Sequence, residues 1–412
     1  MSAVFHVLSV MLANDVFATS VSLRAGVDLH TRSRVGFSRS WLHSSQQASS
    51  QASVFQSATV SGSSSNSPLE IGQILLMSTV DTTTGKGKVM YATVGVQCHE
   101  PVVPSTLLDS GLQCPEGLAI QTISDSSFHL YVADPCLGRI KHYLIQRTGD
   151  LLESHGSTTI TTSEANAVSI DSHTGDLFFT MNGTTSSAVA TIKAGTLEML
   201  LEGSCHADSL VAVAQSEVEE RAEAYRILRD GAASGVLDEP AVGCEVFFIY
   251  DNVGTSRVDQ PGTVVVKDNF VYWASSNSTG HTSIVSGSKR PGAPAVGSSF
   301  ATTSHATHVT QSHGILATNK YIFWTGISDS GYAGIYGVKM QNGGGVIYTK
   351  TQALGEAKSM VWDGHNTAFV SVPAYLSGGP GVYSMAVGSI EGSANLKKCV
   401  TLTNAAGVSL WK

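Results

Sequence analysis

A chain of 412 residues that is 42% hydrophobic can bury a sizeable core, yet only 14% of it is charged, against roughly 25% in an ordinary soluble protein. With 41 glycines and abundant Ser, Thr and Val, it suits short strands and tight turns and argues against helical bundles or coiled coils. A net charge of −8, with no basic cluster beyond Lys289-Arg290 and Lys397-Lys398, argues against nucleic-acid binding, and no apolar run approaches the ~18 residues of a membrane span.

The first segment carries a modest apolar stretch, Val4 to Ala13, followed by Phe17-Ala18-Thr19-Ser20. This has the form of a signal peptide, although it lacks a basic start and is interrupted by Asn14-Asp15. Residues 24–68 set Arg24, Arg32, Arg34 and Arg39 against a single acid, Asp28, and then dissolve into Ser- and Gln-rich sequence. Such a stretch buries too little apolar surface to offset its ordering entropy, and its composition also suits an organelle transit peptide. Residues 1–70 are expected to be a disordered leader, linker or targeting segment, with the fold occupying 71–412. The destination expected is the secretory pathway or the extracellular space, with an organelle lumen as the alternative.

Beyond residue 70 the chain repeats. Each unit opens with a small residue inside a short apolar strand: Gly117, Ala167, Gly262, Gly314, Ser359 and Gly407. A turn and an aromatic-rich second strand follow, as in His129–Asp134, Leu177–Thr180, Phe270–Trp273, Tyr321–Thr325 and Ala368–Ser371. Third strands read Arg139–Tyr143, Gly334–Val338 and Gly381–Met385. The last first strand, Ala406–Leu410, has no partners after it, while Ile74–Met77 and Gly87–Tyr91 read as a second and a third strand without a first. A ring closed by the two terminal strands explains both ends and removes exposed sheet edges. The expectation is an all-β, six-bladed β-propeller.

The spacing from Ala167 to Gly262 is a whole unit too long. It could hold a seventh blade built on Leu210–Val213 and Glu245–Ile249, but the short distance from Phe247 to Gly262 favours six blades with an insertion over 204–258. That insertion contains the best helical pattern in the chain, 217–230, with Ser216 and Glu219 as a capping box and Gly231 as a stop. Its apolar stripe includes Tyr225, and Arg226 and Arg229 complement the helix dipole. Packing on the rim accounts for the stripe; the sharper reading makes Tyr225, Arg226 and Arg229 a partner-docking surface.

The six cysteines, Cys98, Cys114, Cys136, Cys205, Cys244 and Cys399, contain no CxxC spacing, which leaves zinc ribbons and thioredoxin-like motifs unsupported. An even cysteine count and two glycosylation sequons, at Asn182 and Asn277, lean toward an oxidising compartment and disulfides whose pairing the sequence leaves open. Cys205 and Cys244 bracket the insertion, and Cys114 and Cys136 flank a strand pair.

Pro115-Glu116-Gly117-Leu118-Ala119-Ile120 followed by Leu130-Tyr131-Val132-Ala133-Asp134 resembles the NHL and YWTD repeat families, as do Phe270–Trp273 and Tyr321–Thr325. The wider group includes gluconolactonase-like, strictosidine-synthase-like and paraoxonase-like enzymes, alongside receptors and scaffolds. The resemblance implies a central channel whose mouth holds the residue preceding each small one, where enzymes of the group gather Glu, Asn and Asp oxygens around a calcium-like ion. Here that column reads Glu116, Asn166, Pro261, His313, Lys358 and Ala406. Glu116 and Asn166 match hard-cation ligands, so Ca2+ is the one cofactor implied, and His313 could act as a general base. Pro261 and Ala406 offer nothing, and Lys358 would repel a cation. The column could equally line a solvated channel or hold a small polar ligand. His305, His308 and His313 are close in sequence, but on a strand positions three apart face opposite sides, against a zinc site.

No GxSxG, HExxH, GxxxxGK[ST] or GxGxxG motif occurs. The sequence favours a non-catalytic propeller that binds a protein or glycan partner or serves as a scaffold. The alternative is a metal-dependent lactonase- or esterase-like hydrolase with its site at the channel.

Overall fold

The computed structural model describes residues 72–412 except 96–97, 184–186, 215–243, 253–257, 278–279, 292–300, 329–330, 341–344, 353 and 374–377. The chain divides into two units, Met1–Ser65 and Asn66–Lys412, and every described residue belongs to the second. The leader 1–70, the helix 217–230 and its residues Tyr225, Arg226 and Arg229 lie outside the described residues.

Short apolar runs broken by Asp, Gly and Asn turns become strands throughout. β1 (Gln73–Val80), β2 (Gly87–Val94) and β3 (Ser105–Leu108) run antiparallel. The β1–β2 turn closes on Asp81, whose carboxylate accepts from the Thr83 amide at 2.9 Å, while Gly85 takes a φ of 64° that a side chain would resist. β4 (Gly117–Ser124), β5 (Ser127–Asp134), β6 (Arg139–Thr148) and β7 (Leu151–Thr161) form a four-stranded antiparallel sheet.

The third sheet begins with β8 (Ala165–Ile170), β9 (Leu177–Asn182) and β10 (Ser187–Ile192). Helix α1 (Ala194–Leu201), which the sequence pattern did not suggest, follows; it buries Leu197 and Leu200, and the Asp176 carboxylate accepts from its first amide, Ala194, at 3.1 Å. The overlong spacing then resolves differently from the sequence reading. β11 (Val211–Ala214) and β12 (Glu245–Asp251) lie within the expected insertion 204–258, yet both belong to this sheet, ordered β11-β12-β10-β9-β8. β12 pairs antiparallel with β10 and parallel with β11. These strands therefore extend the existing sheet rather than starting another, and Cys205 is joined to Cys244 across the intervening segment.

β13 (Gln260–Lys267), β14 (Phe270–Ser276), β15 (Thr282–Ser288), β16 (Thr302–Ala317), β17 (Tyr321–Ser328), β18 (Ala333–Lys339) and β19 (Tyr348–Gln352) form one seven-stranded sheet. Two repeats merge because β16 pairs with β15 over residues 302–309 and with β17 over 309–317. β20 (Ser359–Trp362), β21 (Thr367–Val372), β22 (Gly381–Ala386) and β23 (Lys397–Val400) form the next sheet. β24 (Ala405–Trp411) returns to pair antiparallel with β1, giving the order β24-β1-β2-β3.

The aromatic second strands supply the core. Tyr131, Phe179, Trp273, Trp324 and Phe369 are fully buried, and the apolar clusters draw on residues of neighbouring sheets. Each such side chain contributes on the order of 2–3 kcal/mol when removed from water.

The innermost strands touch in sequence: β4 with β8, β8 with β13, β13 with β16, β16 with β20, β20 with β24, and β24 with β4. The small residues that open the repeats make these approaches. A Cβ on Gly314 would stand 2.9 Å from the Ser359 Cα, one on Gly117 would stand 3.0 Å from the Val168 amide nitrogen, and one on Gly407 would collide with the Glu116 carbonyl. Buried hydroxyls on the second strands bolt the same places. Ser78 Oγ accepts from the Gly407 amide at 2.6 Å, Thr325 Oγ1 from Gly314 at 2.8 Å and Ser371 Oγ from Ser359 at 2.9 Å. Thr180 donates across to the Gly262 carbonyl and Ser371 to the Ala406 carbonyl, each reaching the next inner strand.

Candidate functional site

The inner strands enclose a cavity of about 680 Å³. All six column residues, Glu116, Asn166, Pro261, His313, Lys358 and Ala406, line it. Farther along the same strands the lining becomes apolar, with Ile120, Ile170, Val266, Trp362 and Leu410, and the Lys267 ammonium lies 5.9 Å from the centre of the Trp362 ring.

Glu116 stands just before β4, held by an elaborate anchor. The buried Asp134 carboxylate accepts from the Gln113 amide at 2.6 Å and the Cys114 amide at 3.0 Å, and Cys114 is joined to Cys136. The Glu116 amide donates to the Ala133 carbonyl at 3.0 Å. Its carboxylate faces the cavity's water, yet the surrounding walls disfavour the charge: desolvation raises its pKa, the nearby Lys358 opposes that rise and Asp134 adds to it. No hydrogen bond or ion pair engages this carboxylate among the described residues.

His313 lies on β16 where the β16–β17 register shifts between Ser312 and Gly314. Desolvation lowers its pKa, with Lys358 adding to the effect and Glu356 opposing it. Its Nε2 is buried without a hydrogen-bond partner, as is the hydroxyl of adjacent Ser312, which also lines the cavity. Lys358 is tethered at 2.8 Å to Glu356, and this ammonium holds the Glu356 pKa down.

The cyclic order of inner strands fixes how these groups face one another. β4 and β16 are three strands apart in either direction, which sets Glu116 across from His313. By the same count Asn166, on β8, stands across from Lys358, beside β20, and Pro261, on β13, across from Ala406, on β24.

The donor set does not fit calcium. Ca2+ takes six to eight oxygen ligands, whereas the column supplies one carboxylate, Glu116, and one amide, Asn166, with the Lys358 ammonium close enough to act on Glu116. Among the described residues no three His, Cys, Asp or Glu side chains converge as metal ligands. His305 is separated from His313: it is buried, with Nε2 2.7 Å from the Ser286 hydroxyl.

Asn182, at the end of β9, is exposed and lines the cavity, and its side-chain oxygen accepts from Ser187 at 3.3 Å. Asn277 is exposed in the turn after β14, where its side-chain oxygen accepts from the His281 amide at 3.0 Å. The sequence reading missed Ser312, Asn182 and Gln260 as lining residues. Reading a single column selects one residue per inner strand, and the ends of second strands fall outside it. The antiparallel pairing of β8 with β9 and β13 with β14 was the available signal, since it returns those ends to the starts of the inner strands.

No family model matches this sequence, and no curated protein matches it either. Among solved structures, TolB from Acinetobacter baumannii aligns with a TM-score of 0.50 at 9% identity, covering 83% of this chain and 67% of that one. A nidogen/laminin complex chain gives 0.48 at 11% identity, covering 82% and 98%. A putative 6-phosphogluconolactonase from Bacteroides uniformis gives 0.48 at 11% identity, covering 83% and 100%. These are β-propeller proteins, and at such identities the likeness bears on fold alone.

Proposed function

We propose that this chain is a six-bladed β-propeller closed by its terminal strands, acting as a non-catalytic binding protein that receives polar groups of a protein or glycan partner at the channel mouth. The six inner strands that touch in an unbroken cycle support the blade count, and the β1–β24 pairing supports closure. The binding role rests on the composition of the mouth. Glu116 and His313 present unengaged polar atoms around a cavity of about 680 Å³, within the range of small-ligand sites, while the metal set of the enzymatic relatives is incomplete. Pairing of all six cysteines favours an oxidising compartment, so the protein is read as secreted or luminal, with N-glycans on Asn182 and Asn277. Tyr225, Arg226 and Arg229 remain the proposed second partner surface.

One observation favours the lactonase- or esterase-like alternative: Glu116 holds its proton more tightly than usual and His313 less tightly, a profile suited to an acid–base pair. A panel of lactones and aryl esters, assayed with and without Ca2+, separates the readings. The binding role predicts no turnover above that of Glu116→Gln. Turnover lost in Glu116→Gln but kept in Lys358→Met would replace it with the hydrolase.

A further inference from the structure

The arrangement of charge around the mouth narrows the ligand, given the reading of the channel as a binding site. On one side stand the Glu116 carboxylate, free of any ion pair among the described residues, and the neighbouring Asn166 amide. Across from them stand His313 and Ser312, with the buried His313 Nε2 and Ser312 hydroxyl lacking partners, and the Lys358 ammonium. Pro261 and Ala406, which add no polar side chain, occupy the remaining two positions of the ring. The mouth is therefore bipolar: acceptors and negative charge on one wall, donors and positive charge on the opposite wall, with apolar spacers between.

A neutral polyol would satisfy such a ring without using its polarity. A simple anion would meet Glu116, and a simple cation would meet Lys358. A molecule carrying both charges uses both walls. The geometry points to a small zwitterion of the amino-acid or short-peptide class as the channel ligand, its ammonium received by Glu116 and Asn166 and its carboxylate by Lys358, His313 and Ser312. Glu356, holding Lys358 at 2.8 Å from the rim, keeps that ammonium at the mouth instead of letting it cross to Glu116. Charge-assisted hydrogen bonds are roughly twice as strong as neutral ones, so the two ends should contribute most of the selectivity.

The test uses the full-length protein and calorimetric titration with single free α-amino acids and with glycylglycine. Each zwitterion that binds is then compared with its N-acetylated and its carboxamide forms, which remove one charge at a time. The expected result is binding of at least one zwitterion and a loss of about tenfold or more for each blocked form, the scale of a single charge-assisted contact. Glu116→Gln should weaken the free amino acid but leave the affinity of its N-acetyl form nearly unchanged, and Lys358→Met should do the converse with the carboxamide. Failure of every zwitterion to bind, or equal binding of blocked and free forms, overturns the inference. If a neutral saccharide such as glucose or N-acetylglucosamine binds instead, and Glu116→Gln weakens it, the zwitterion is excluded while the channel remains a binding site. Because the blocked-ligand comparison uses unmodified protein, poor folding of a variant leaves the inference testable.

Discussion

Cys98 and Cys399 are 301 residues apart in sequence, yet their Cα atoms lie 4.8 Å apart and their sulfurs are bonded. The pair joins the segment between β2 and β3 to β23, and beside it Val102 makes a parallel bridge with Val400. The two ends of the repeat array are thus fastened by this bond as well as by the β1–β24 ladder.

The ladder carries the greater share of the closure. Trp411 is buried and packs 4.7 Å, ring centre to ring centre, from Phe128 of the neighbouring sheet, while the Thr79 hydroxyl donates to the Thr403 carbonyl at 2.8 Å. Deleting residues 404–412 should abolish the cooperative melting transition, and Trp411→Ala alone should cost about 3–5 kcal/mol in urea unfolding. A truncated chain that melts like the full one would sink the closed-ring reading.

The disulfide acts mainly on the unfolded chain, which it ties into a very long loop. By the chain-entropy relation its loss should cost about 4–5 kcal/mol. Cys98→Ser combined with Cys399→Ser should therefore lower the urea midpoint yet leave a folded protein, because the β1–β24 pairing persists. An unaltered midpoint under matched non-reducing conditions would show that the bond contributes nothing to closure.

The glycines of the inner strands differ in how much room they have. At Gly407 a Cβ would collide with the Glu116 carbonyl, whereas at Gly262 the nearest atom, the Ser312 carbonyl oxygen, is 3.7 Å away. Gly407→Ala should destabilise by about 1–3 kcal/mol through overpacking, and Gly262→Ala should stay within about 0.5 kcal/mol. Equal thermal shifts for the two variants would refute close approach of β24 to β4 as the reason for the small residue.

On the β5–β6 pair, His129 Nδ1 and His142 Nε2 are 2.7 Å apart beside the Tyr131 ring. Burial, with His129 adding to it, lowers the His142 pKa to about 4, and burial also lowers that of His129. A histidine held neutral in the fold but titrating near 6.5 when unfolded makes the unfolded state bind more protons between those values. Stability should therefore fall as pH drops from about 6.5 toward 4 and lose no more from His142 below that. His142→Phe should flatten this part of the pH–melting curve; an equally steep curve in the variant would assign the acid sensitivity elsewhere.

The order of strands was legible in the sequence because each repeat carries the same local chemistry. A small residue opens the inner strand, an Asp- and Gly-rich turn follows, and aromatic residues such as Tyr131, Trp273 and Trp324 mark the strand that becomes core. The unpaired strands at the two ends, Ile74–Met77 and Ala406–Leu410, already required each other, since a lone inner strand leaves its backbone groups unsatisfied. The column from Glu116 to Ala406 was legible too, as a position in the repeat.

Tertiary structure decided what depended on partners distant in the chain. β11 and β12 are apolar runs that could have founded a sheet, but β10 offered β12 an open edge, and the Cys205–Cys244 bond holds the intervening segment's ends together. β16 reads as two strands by pattern and is one, because its halves pair with different neighbours. The polarity of the mouth emerged in the same way. Sequence supplied an acid, an amide, a histidine and a lysine; only the cyclic order of the inner strands placed Glu116 opposite His313 and Asn166 opposite Lys358. Local pattern determines which strands form because turn and burial preferences act over a few residues, whereas which charges face each other depends on how the inner strands close around a common channel.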